Sequence, residues 1–79
     1  MTLNISDFTY NKKTRTLSAE ASELFRVGAM TSKFSVKSEK TGVVAEFKHS
    51  YTKLCADGDI EFFAFYNAKT NTNMVIFND

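Results

Sequence analysis

Three short polar stretches interrupt this chain, and each contains the pair Lys-Thr between two apolar segments. The stretches read YNKKTRT from Tyr10, KSEKTGV from Lys37 and YNAKTNT from Tyr66. The flanking segments are short, rich in β-branched and aromatic residues, and mostly alternate between apolar and polar positions. Such alternation is typical of strands, and Asn, Lys, Thr, Ser and Gly are typical of tight loops. The repeat therefore predicts three β-hairpins in series, with Lys-Thr at each tip.

The predicted domain is all-β, or β-rich α+β, with about six short antiparallel strands and a possible closure into a small barrel. It is a single domain over residues 1–79, with strands near residues 5–10, 15–20, 33–38, 43–51, 60–66 and 73–77. The turns need residues that tolerate positive φ. Gly42 suits the second turn, and Asn11, Asn71 or Asn73 suit the other two.

The segment LSAEASELFRVG, from Leu17 to Gly28, is compatible with two structures. Its apolar residues recur at helical spacing, with Ser18 as a candidate cap and Gly28 as a stop. Its first residues also alternate as a strand would. We expect a strand as far as Glu20 and then one helical turn over residues 22–26. The alternative is a longer helix that packs on the sheet.

The length of the chain limits its core. A domain of 79 residues hides only about 60% of its unfolded surface, and such a core rarely supplies more than about 3–5 kcal/mol. Disulfides, metals or partner chains usually add the missing stability. Cys55 is the only cysteine, so an intrachain disulfide is excluded. We therefore expect a partner chain to supply the additional stability.

The charged residues nearly balance, with ten Lys and Arg against nine Asp and Glu. Nucleic-acid-binding proteins usually carry a clear basic excess. The longest apolar run, residues 62–66, is far shorter than the roughly 20 residues of a membrane-spanning helix. The first residues, MTLNISDF, do not resemble a signal peptide, and the one cysteine has no intrachain partner. These features predict a cytoplasmic protein without a membrane partner.

The residues suited to catalysis or metal binding are few and scattered. His49, Cys55, Asp57 and Asp59 lie in HSYTKLCADGD, but their spacing matches no metal motif, and Asp-Gly favours a tight turn. Along one strand His49 and Cys55 would be about 20 Å apart. We predict no catalytic residue, no metal and no cofactor, and hence that the protein is not an enzyme.

Residues 60–66 and 73–77 are apolar on both faces of their predicted strands. The first face of 60–66 carries Ile60, Phe62, Ala64 and Tyr66, and the second carries Phe63 and Phe65. Segment 43–51 has one polar face, and its apolar face consists of Val43, Ala45, Phe47 and Tyr51. The predicted interface consists of Phe63, Phe65, Val75 and Phe77. Three structures could pack against this second face: the 17–28 segment, a second copy of the chain, or another protein. The function expected first is a non-catalytic binding or accessory domain that acts by protein–protein contact as a homodimer or larger homo-oligomer.

An alternative function is the binding of single-stranded nucleic acid. Phe63, Phe65, Tyr66 and Phe77 would stack bases, as aromatic platforms on small β-domains do. The phosphates would meet basic residues at the hairpin tips, namely Lys12, Lys13, Arg15, Lys40 and Lys69. The balanced net charge ranks this function behind protein binding.

Two segments resemble parts of a set of small bacterial and phage proteins. These are AEASEL, at Ala19 to Leu24, and the closing IFND, at Ile76 to Asp79. The central SEKTG also resembles the second hairpin of that set, although Phe25 stands where the set often has glycine. The resemblance implies a β-hairpin fold and a phage or bacterial origin, and it implies no activity.

Overall fold

Seven strands form one mixed sheet in the computed structural model, which describes residues 2–78. The strands are β1 (Thr2–Asn4), β2 (Thr9–Asn11), β3 (Thr16–Glu20), β4 (Lys33–Lys37), β5 (Val44–Leu54), β6 (Ile60–Asn67) and β7 (Thr72–Phe77). Their order across the sheet is β1-β4-β5-β6-β7-β3-β2. The predicted fold class is confirmed, because the chain is strand-rich with one short helix and its sheet curls into a half-barrel.

The curl follows from the crossing between β1 and β2, which are the two edge strands. Seven flat strands would hold these edges about 29 Å apart, at roughly 4.8 Å per strand. The chain has only residues 5–8 to cross this distance, and even fully extended it reaches about 18 Å. Residues Ile5–Asp7 also form a 3₁₀ turn, which shortens the reach further. The sheet must therefore bend until its edges approach each other.

The concave face of the sheet carries the core. Side chains alternate along each strand, and one set points inward. The buried apolar residues are Leu3, Leu17, Ala19, Phe34, Val36, Phe47, Phe63, Ala64, Phe65, Met74 and Ile76, and of these all but Ala64 belong to the inward set. Phe34 and Phe65 meet edge to face with their ring centroids 4.9 Å apart, which is a favoured aromatic geometry.

A single helix, α1 (Ser22–Gly28), covers one end of this concave face. Glu23 lies in its first turn and Arg26 in its last, as the helix dipole favours. The Phe25 ring packs on Phe63 with the centroids 4.8 Å apart. Gly28 lets the helix approach closely, since a Cβ there would lie 3.3 Å from the Phe63 ring. No helix within residues 2–78 is long and apolar enough to cross a bilayer.

The three predicted hairpins are present as β2–β3, β4–β5 and β6–β7, all antiparallel. The expected strand up to Glu20 followed by a helical turn is also confirmed, and α1 continues to Gly28. Gly42 and Asn71 adopt positive φ at the second and third tips, as predicted. In the first tip the residue with positive φ is Arg15 rather than Asn11.

Three features of the sheet differ from the sequence prediction. The predicted first strand over residues 5–10 is a 3₁₀ turn followed by the start of β2, and an additional strand, β1, precedes it. Two strand pairs are parallel, β1 with β4 and β3 with β7, and each joins segments that are distant in the sequence. A bulge at Ser50 moves Tyr51 to the face opposite Phe47, although the alternation alone had placed both on one face.

The core predicts a large difference between two apolar substitutions. Phe65→Ala removes a fully buried ring and should lower the free energy of unfolding by about 3–5 kcal/mol. Met30→Ala is the matched control, because Met30 is 82% exposed and the change should be close to neutral. Urea denaturation followed by circular dichroism measures both, and equal losses of stability would contradict this core.

Candidate functional site

The four residues of the predicted interface do not share a face. Phe63 pairs with Ile76 and Phe65 lies opposite Met74, so both rings point into the core. Val75 and Phe77 point to the outer, convex face. Their grouping into one surface is therefore wrong, because it joined two strands without knowing their register. Phe63 and Phe65 are covered from within by α1 and the curled sheet, and they offer no area to a partner.

The outer face has its own apolar surface, which we call the aromatic ladder: Tyr51, Phe62, Ala64, Val75 and Phe77. Tyr51 and Phe62 contact edge to face at a centroid distance of 5.8 Å. Phe62 and Phe77 do the same at 5.3 Å. The rings of Phe62 and Phe77 are half-buried, and Tyr51 is 53% exposed. Both helical segments of residues 2–78 lie against the inner face, so neither of them covers the ladder.

The register arranges the outer face in rows that run across four strands. In the first row Lys53 lies beside Phe62, Phe62 beside Phe77, and Phe77 beside Glu20. The row thus reads basic, aromatic, aromatic, acidic. The second row is Tyr51, Ala64, Val75 and Ser18, and the third is Lys48, Tyr66, Asn73 and Thr16. Apolar residues occupy the middle of the first two rows, and a charge lies at each end of the first.

Tyr51 and Phe62 belong to this surface but were not among the predicted site residues. The sequence pattern places Phe62 on the first face of 60–66, which the predicted interface does not include. The same pattern places Tyr51 with Ala45 and Phe47, because all three have odd numbers in one strand, and only the bulge at Ser50 puts Tyr51 on the other face. No residue type in HSYTK marks a bulge, so this assignment needed the structure.

All three Lys-Thr tips lie at one end of the sheet, which we call the tip end. β3 and β7 are parallel and begin there, β6 ends there, and β5 runs antiparallel to β6 and begins there. The loops and strand ends at this end carry six basic residues, Lys12, Lys13, Arg15, Lys37, Lys40 and Lys69, against the acidic Asp7 and Glu39. The opposite end carries Glu20, Glu23, Asp57, Asp59 and Glu61 against Arg26, Lys33 and Lys53. The molecule is therefore charged unevenly although its net charge is small.

The first and third tips share one turn structure, which explains the repeated YN-x-KT-x-T. The side-chain oxygen of Asn67 accepts hydrogen bonds from the backbone N–H groups of Lys69 and Thr70, at 2.9 and 3.2 Å. The Asn11 oxygen accepts the equivalent bonds in the first tip, at 3.0 and 3.3 Å. The tips also touch, since the Arg15 guanidinium donates to the Thr70 carbonyl at 2.7 Å. Turn chemistry accounts for the repeat, as the sequence suggested.

An apolar groove opens between these tips, on the half of the concave face that α1 leaves uncovered. Its volume is about 410 Å³. The floor is formed by Leu17, Val36, Ala45 and Phe47, and the walls by Ile5, Tyr10, Val43 and the hydroxyl residues Ser38, Thr41, Thr70 and Thr72. A second cleft of about 800 Å³ adjoins it, between the first half of β5 and the β6–β7 tip. The mouth of the half-barrel is thus a hollow rather than a packed end.

The residues weighed for catalysis stay apart. His49 lies within β5 and Cys55 follows its end, so about 20 Å of strand separates them. The His49 ring bonds Thr52 at 3.0 Å and packs edge-on against Phe65. Desolvation, and then the carboxylates of Glu61, Asp57 and Asp59, raise the pKa of the exposed Cys55 thiol. A raised pKa reduces the thiolate fraction at neutral pH and makes this cysteine a poorer nucleophile.

The described chain shows no group of three or more His, Cys, Asp or Glu side chains placed to hold a metal. Every buried side-chain nitrogen or oxygen within residues 2–78 has a hydrogen-bond partner. The expectations of no enzyme activity, no cofactor and no metal remain predictions. The two candidate binding surfaces are the aromatic ladder and the groove at the tip end.

No protein-family model, curated protein or solved structure matches this chain. The resemblance of residues 19–24 and 76–79 to small bacterial and phage proteins therefore stays a prediction, and Asp79 lies outside the described residues. The function has to be inferred from the geometry of the domain itself.

The twin turns predict unequal costs for one substitution. Asn67 is buried, so Asn67→Ala leaves two N–H groups without a partner away from water and should lower the free energy of unfolding by about 1–3 kcal/mol. Asn11 is exposed, and water can replace its side chain, so Asn11→Ala should cost under about 1 kcal/mol. Chemical denaturation of the two variants checks this, and an equal or inverted order would contradict the turn structure.

Proposed function

We propose that this protein is a non-catalytic binding domain that acts by protein–protein contact and associates with a second copy of itself through the aromatic ladder. The observation that carries the proposal is the self-complementary order of the outer-face rows. A two-fold axis parallel to the strands, placed between β6 and β7, reverses the order of the strands in the second copy. The β5 side of one copy then faces the β3 side of the other.

In this arrangement the first row meets itself with matched chemistry. Lys53 of one copy faces Glu20 of the second copy, and Phe62 faces Phe77. Both contacts occur twice, because the interface of a two-fold dimer uses the same patch on each chain. The register supports this match, since Lys53, Phe62, Phe77 and Glu20 lie at one level of the sheet.

The second row matches by size. Tyr51 of one copy faces Ser18 of the other, so a large side chain meets a small one. Ala64 faces Val75, which leaves the middle of the row low enough for close approach. The outer face is convex, so the centre of the ladder makes the closest contact. The long Lys53 and Glu20 side chains span the wider gap at the flanks.

The rings and the charges contribute differently to this association. Burial of aromatic area supplies most of the binding free energy at interfaces of this kind. Exposed ion pairs contribute only about 0–1 kcal/mol each, but they fix orientation and disfavour wrong partners. The small core gives a second reason for a partner, since buried interface area stabilises a folded state that the core supports only weakly.

The proposal places the domain in a reducing, cytoplasmic compartment. Its single cysteine, Cys55, is exposed and has no partner within the chain. Disulfides form and persist mainly in oxidising compartments, whereas exposed thiols are compatible with the reduced cytosol. The compartment is an inference from this thiol and does not bear on the dimer geometry.

The ladder predicts which rings hold the copies together. Replacing both Phe62 and Phe77 with Ser should dissociate the dimer, because it removes the central rings of the first row. The core should persist, since neither ring is among its buried residues. Light scattering during size exclusion over a range of concentrations gives the mass, and circular dichroism reports the fold. Wild-type protein that stays monomeric throughout would overturn self-association and leave a different protein as the partner.

The charged row predicts rescue by exchange of charge. Lys53→Glu or Glu20→Lys alone should weaken the dimer about tenfold, because each change disturbs two exposed pairs of up to about 1 kcal/mol. The double variant restores opposite charges and should recover most of the affinity. Arg26→Glu is the matched control, since Arg26 is exposed on α1 and away from the ladder. Additive losses in the double variant would exclude the proposed orientation.

A second candidate function is the binding of single-stranded nucleic acid, and one observation favours it. The predicted basic residues Lys12, Lys13, Arg15, Lys40 and Lys69 lie together at the tip end. The predicted stacking platform is not formed, because Phe63 and Phe65 are core residues. Without the Phe63 and Phe65 rings, these basic residues provide mainly electrostatic affinity, which falls steeply with salt.

This second function predicts retention on a single-stranded DNA column at low salt and release near physiological salt. Changing Lys12, Lys13 and Lys69 to Glu should abolish the retention if phosphate contacts cause it. The Phe62 and Phe77 variant should still be retained, because it keeps all the basic residues. Absence of retention at low salt would exclude this function.

A further inference from the structure

We propose that the apolar groove at the tip end binds a single linear acyl chain that carries one carboxylate, with the chain in the groove and the carboxylate among the basic residues of the rim. The site is separate from the aromatic ladder and lies on the other face of the sheet. Its use therefore does not depend on self-association.

The groove has the size and lining of a small-molecule site. Its volume of about 410 Å³ lies within the usual range of about 300–1,000 Å³ for ligand pockets, and the mouths of β-barrels are common places for them. The floor is wholly apolar, formed by inward residues of β3, β4 and β5. Such a lining suits hydrocarbon and offers nothing to a charged group.

Several apolar side chains of the groove remain exposed in the isolated chain. Val43 is 63% exposed, Tyr10 51% and Ile5 42%. Ile5 begins the crossing between the two sheet edges, Tyr10 lies on β2, and Val43 belongs to the second tip, so the three come from separate segments of the chain. A ligand chain that lies between them would remove all three from water together. The exposure of these three side chains supports a ligand that lies along the whole groove.

Charge identifies the end group of the ligand. Lys40 lies between two groove residues, Ser38 and Thr41, and Lys69 precedes a third, Thr70. The Arg15 guanidinium is fixed on the Thr70 carbonyl at 2.7 Å, which places a cation at the rim. Of the two acidic residues at this end, Glu39 accepts a hydrogen bond from the Ser6 hydroxyl at 3.0 Å. A rim with this basic excess attracts an anion and repels a cation.

Hydroxyl groups complete the rim. Thr41, Thr70 and Thr72 all line the groove near the basic residues. The Thr41 hydroxyl accepts from the Val43 backbone N–H at 3.3 Å and can donate its own proton to a carboxylate. The Thr70 hydroxyl donates to Thr72 Oγ1 at 2.9 Å, and the Thr72 hydroxyl donates to the Thr70 carbonyl at 3.3 Å. Hydrogen bonds to charged groups are stronger than those between neutral groups. The apolar floor therefore suits the hydrocarbon chain of a fatty acid, and the basic and hydroxyl groups of the rim suit its carboxylate.

Calorimetric titration of the protein with octanoate, decanoate and dodecanoate, below micelle-forming concentrations, tests the proposal. Affinity should rise about fourfold for each added methylene, as burial of hydrocarbon requires, until the groove is full. Decyltrimethylammonium has the same chain length as decanoate and the opposite charge, and it should bind at least tenfold more weakly. No binding of the three acids, or equal binding of the cation, would overturn the proposal.

Two variants locate the bound acid. Ala45→Phe fills the floor of the groove and should abolish decanoate binding. If that variant does not fold, Lys40→Glu combined with Lys69→Glu decides, because both residues are exposed and the pair should weaken decanoate binding at least tenfold. Arg26→Glu combined with Lys33→Glu is the matched control at the opposite end and should leave binding unchanged.

Decanoate binding that survives both groove variants would place the acid elsewhere and overturn the site. If the acids do not bind while Ala45→Phe changes the mass of the protein in solution, the groove is filled by a second copy instead. Failure here leaves the ladder dimer untouched, because that dimer is tested by Phe62, Phe77, Lys53 and Glu20.

Discussion

The short crossing from β1 to β2 is the constraint on which the rest of the structure depends. It joins the two edges of a seven-stranded sheet with residues 5–8 alone. The sheet bends to satisfy this connection, and the bend produces an inner and an outer surface of different character. The inner surface becomes narrow enough for one helix of two turns to cover half of it. The other half remains as the groove, and the outer surface becomes convex.

The strand β6 shows how the fold uses one segment for two purposes. Its inward residues Phe63 and Phe65 form the centre of the core, while Phe62 lies on the outer face between Tyr51 and Phe77. A chain of this length has few residues to spare, so the same run of aromatics supplies both the core and the candidate interface. Substitutions of adjacent rings in this run should therefore have different effects, because one ring belongs to the core and the next to the outer face.

Much of the local structure could be predicted from the sequence, because hairpins depend on short-range chemistry. The Lys-Thr tips, the positive φ of Gly42 and Asn71, and the passage from strand to helix after Glu20 all follow from neighbouring residues. The candidate site was harder to predict, because it depends on register between distant segments. Phe63 and Phe77 share an interface in the prediction only because both lie on a second apolar face, and nothing local states which faces coincide.

The bulge at Ser50 and the two parallel strand pairs could not be predicted from the sequence for the same reason. A bulge is decided by the fit of β5 to β6 along the whole hairpin, and no residue type at Ser50 signals it. The pairing of β3 with β7 joins segments near opposite ends of the sequence, and no local pattern of residues states that they are neighbours. The uneven distribution of charge also depends on the topology, since the six basic residues of the tip end come from three separate hairpins.

The parallel pairing of β3 with β7 gives the order of chain synthesis a physical meaning. Leu17 lies opposite Met74, so the first hairpin has no place in the sheet until the β6–β7 hairpin has emerged from the ribosome. Until then Leu17 and Ala19 remain in water, and a nascent chain stopped before Thr72 exposes a strand edge and part of the core. Contacts between such distant segments slow folding and prolong exposure to aggregation. The nascent domain is therefore most vulnerable just before its seventh strand arrives.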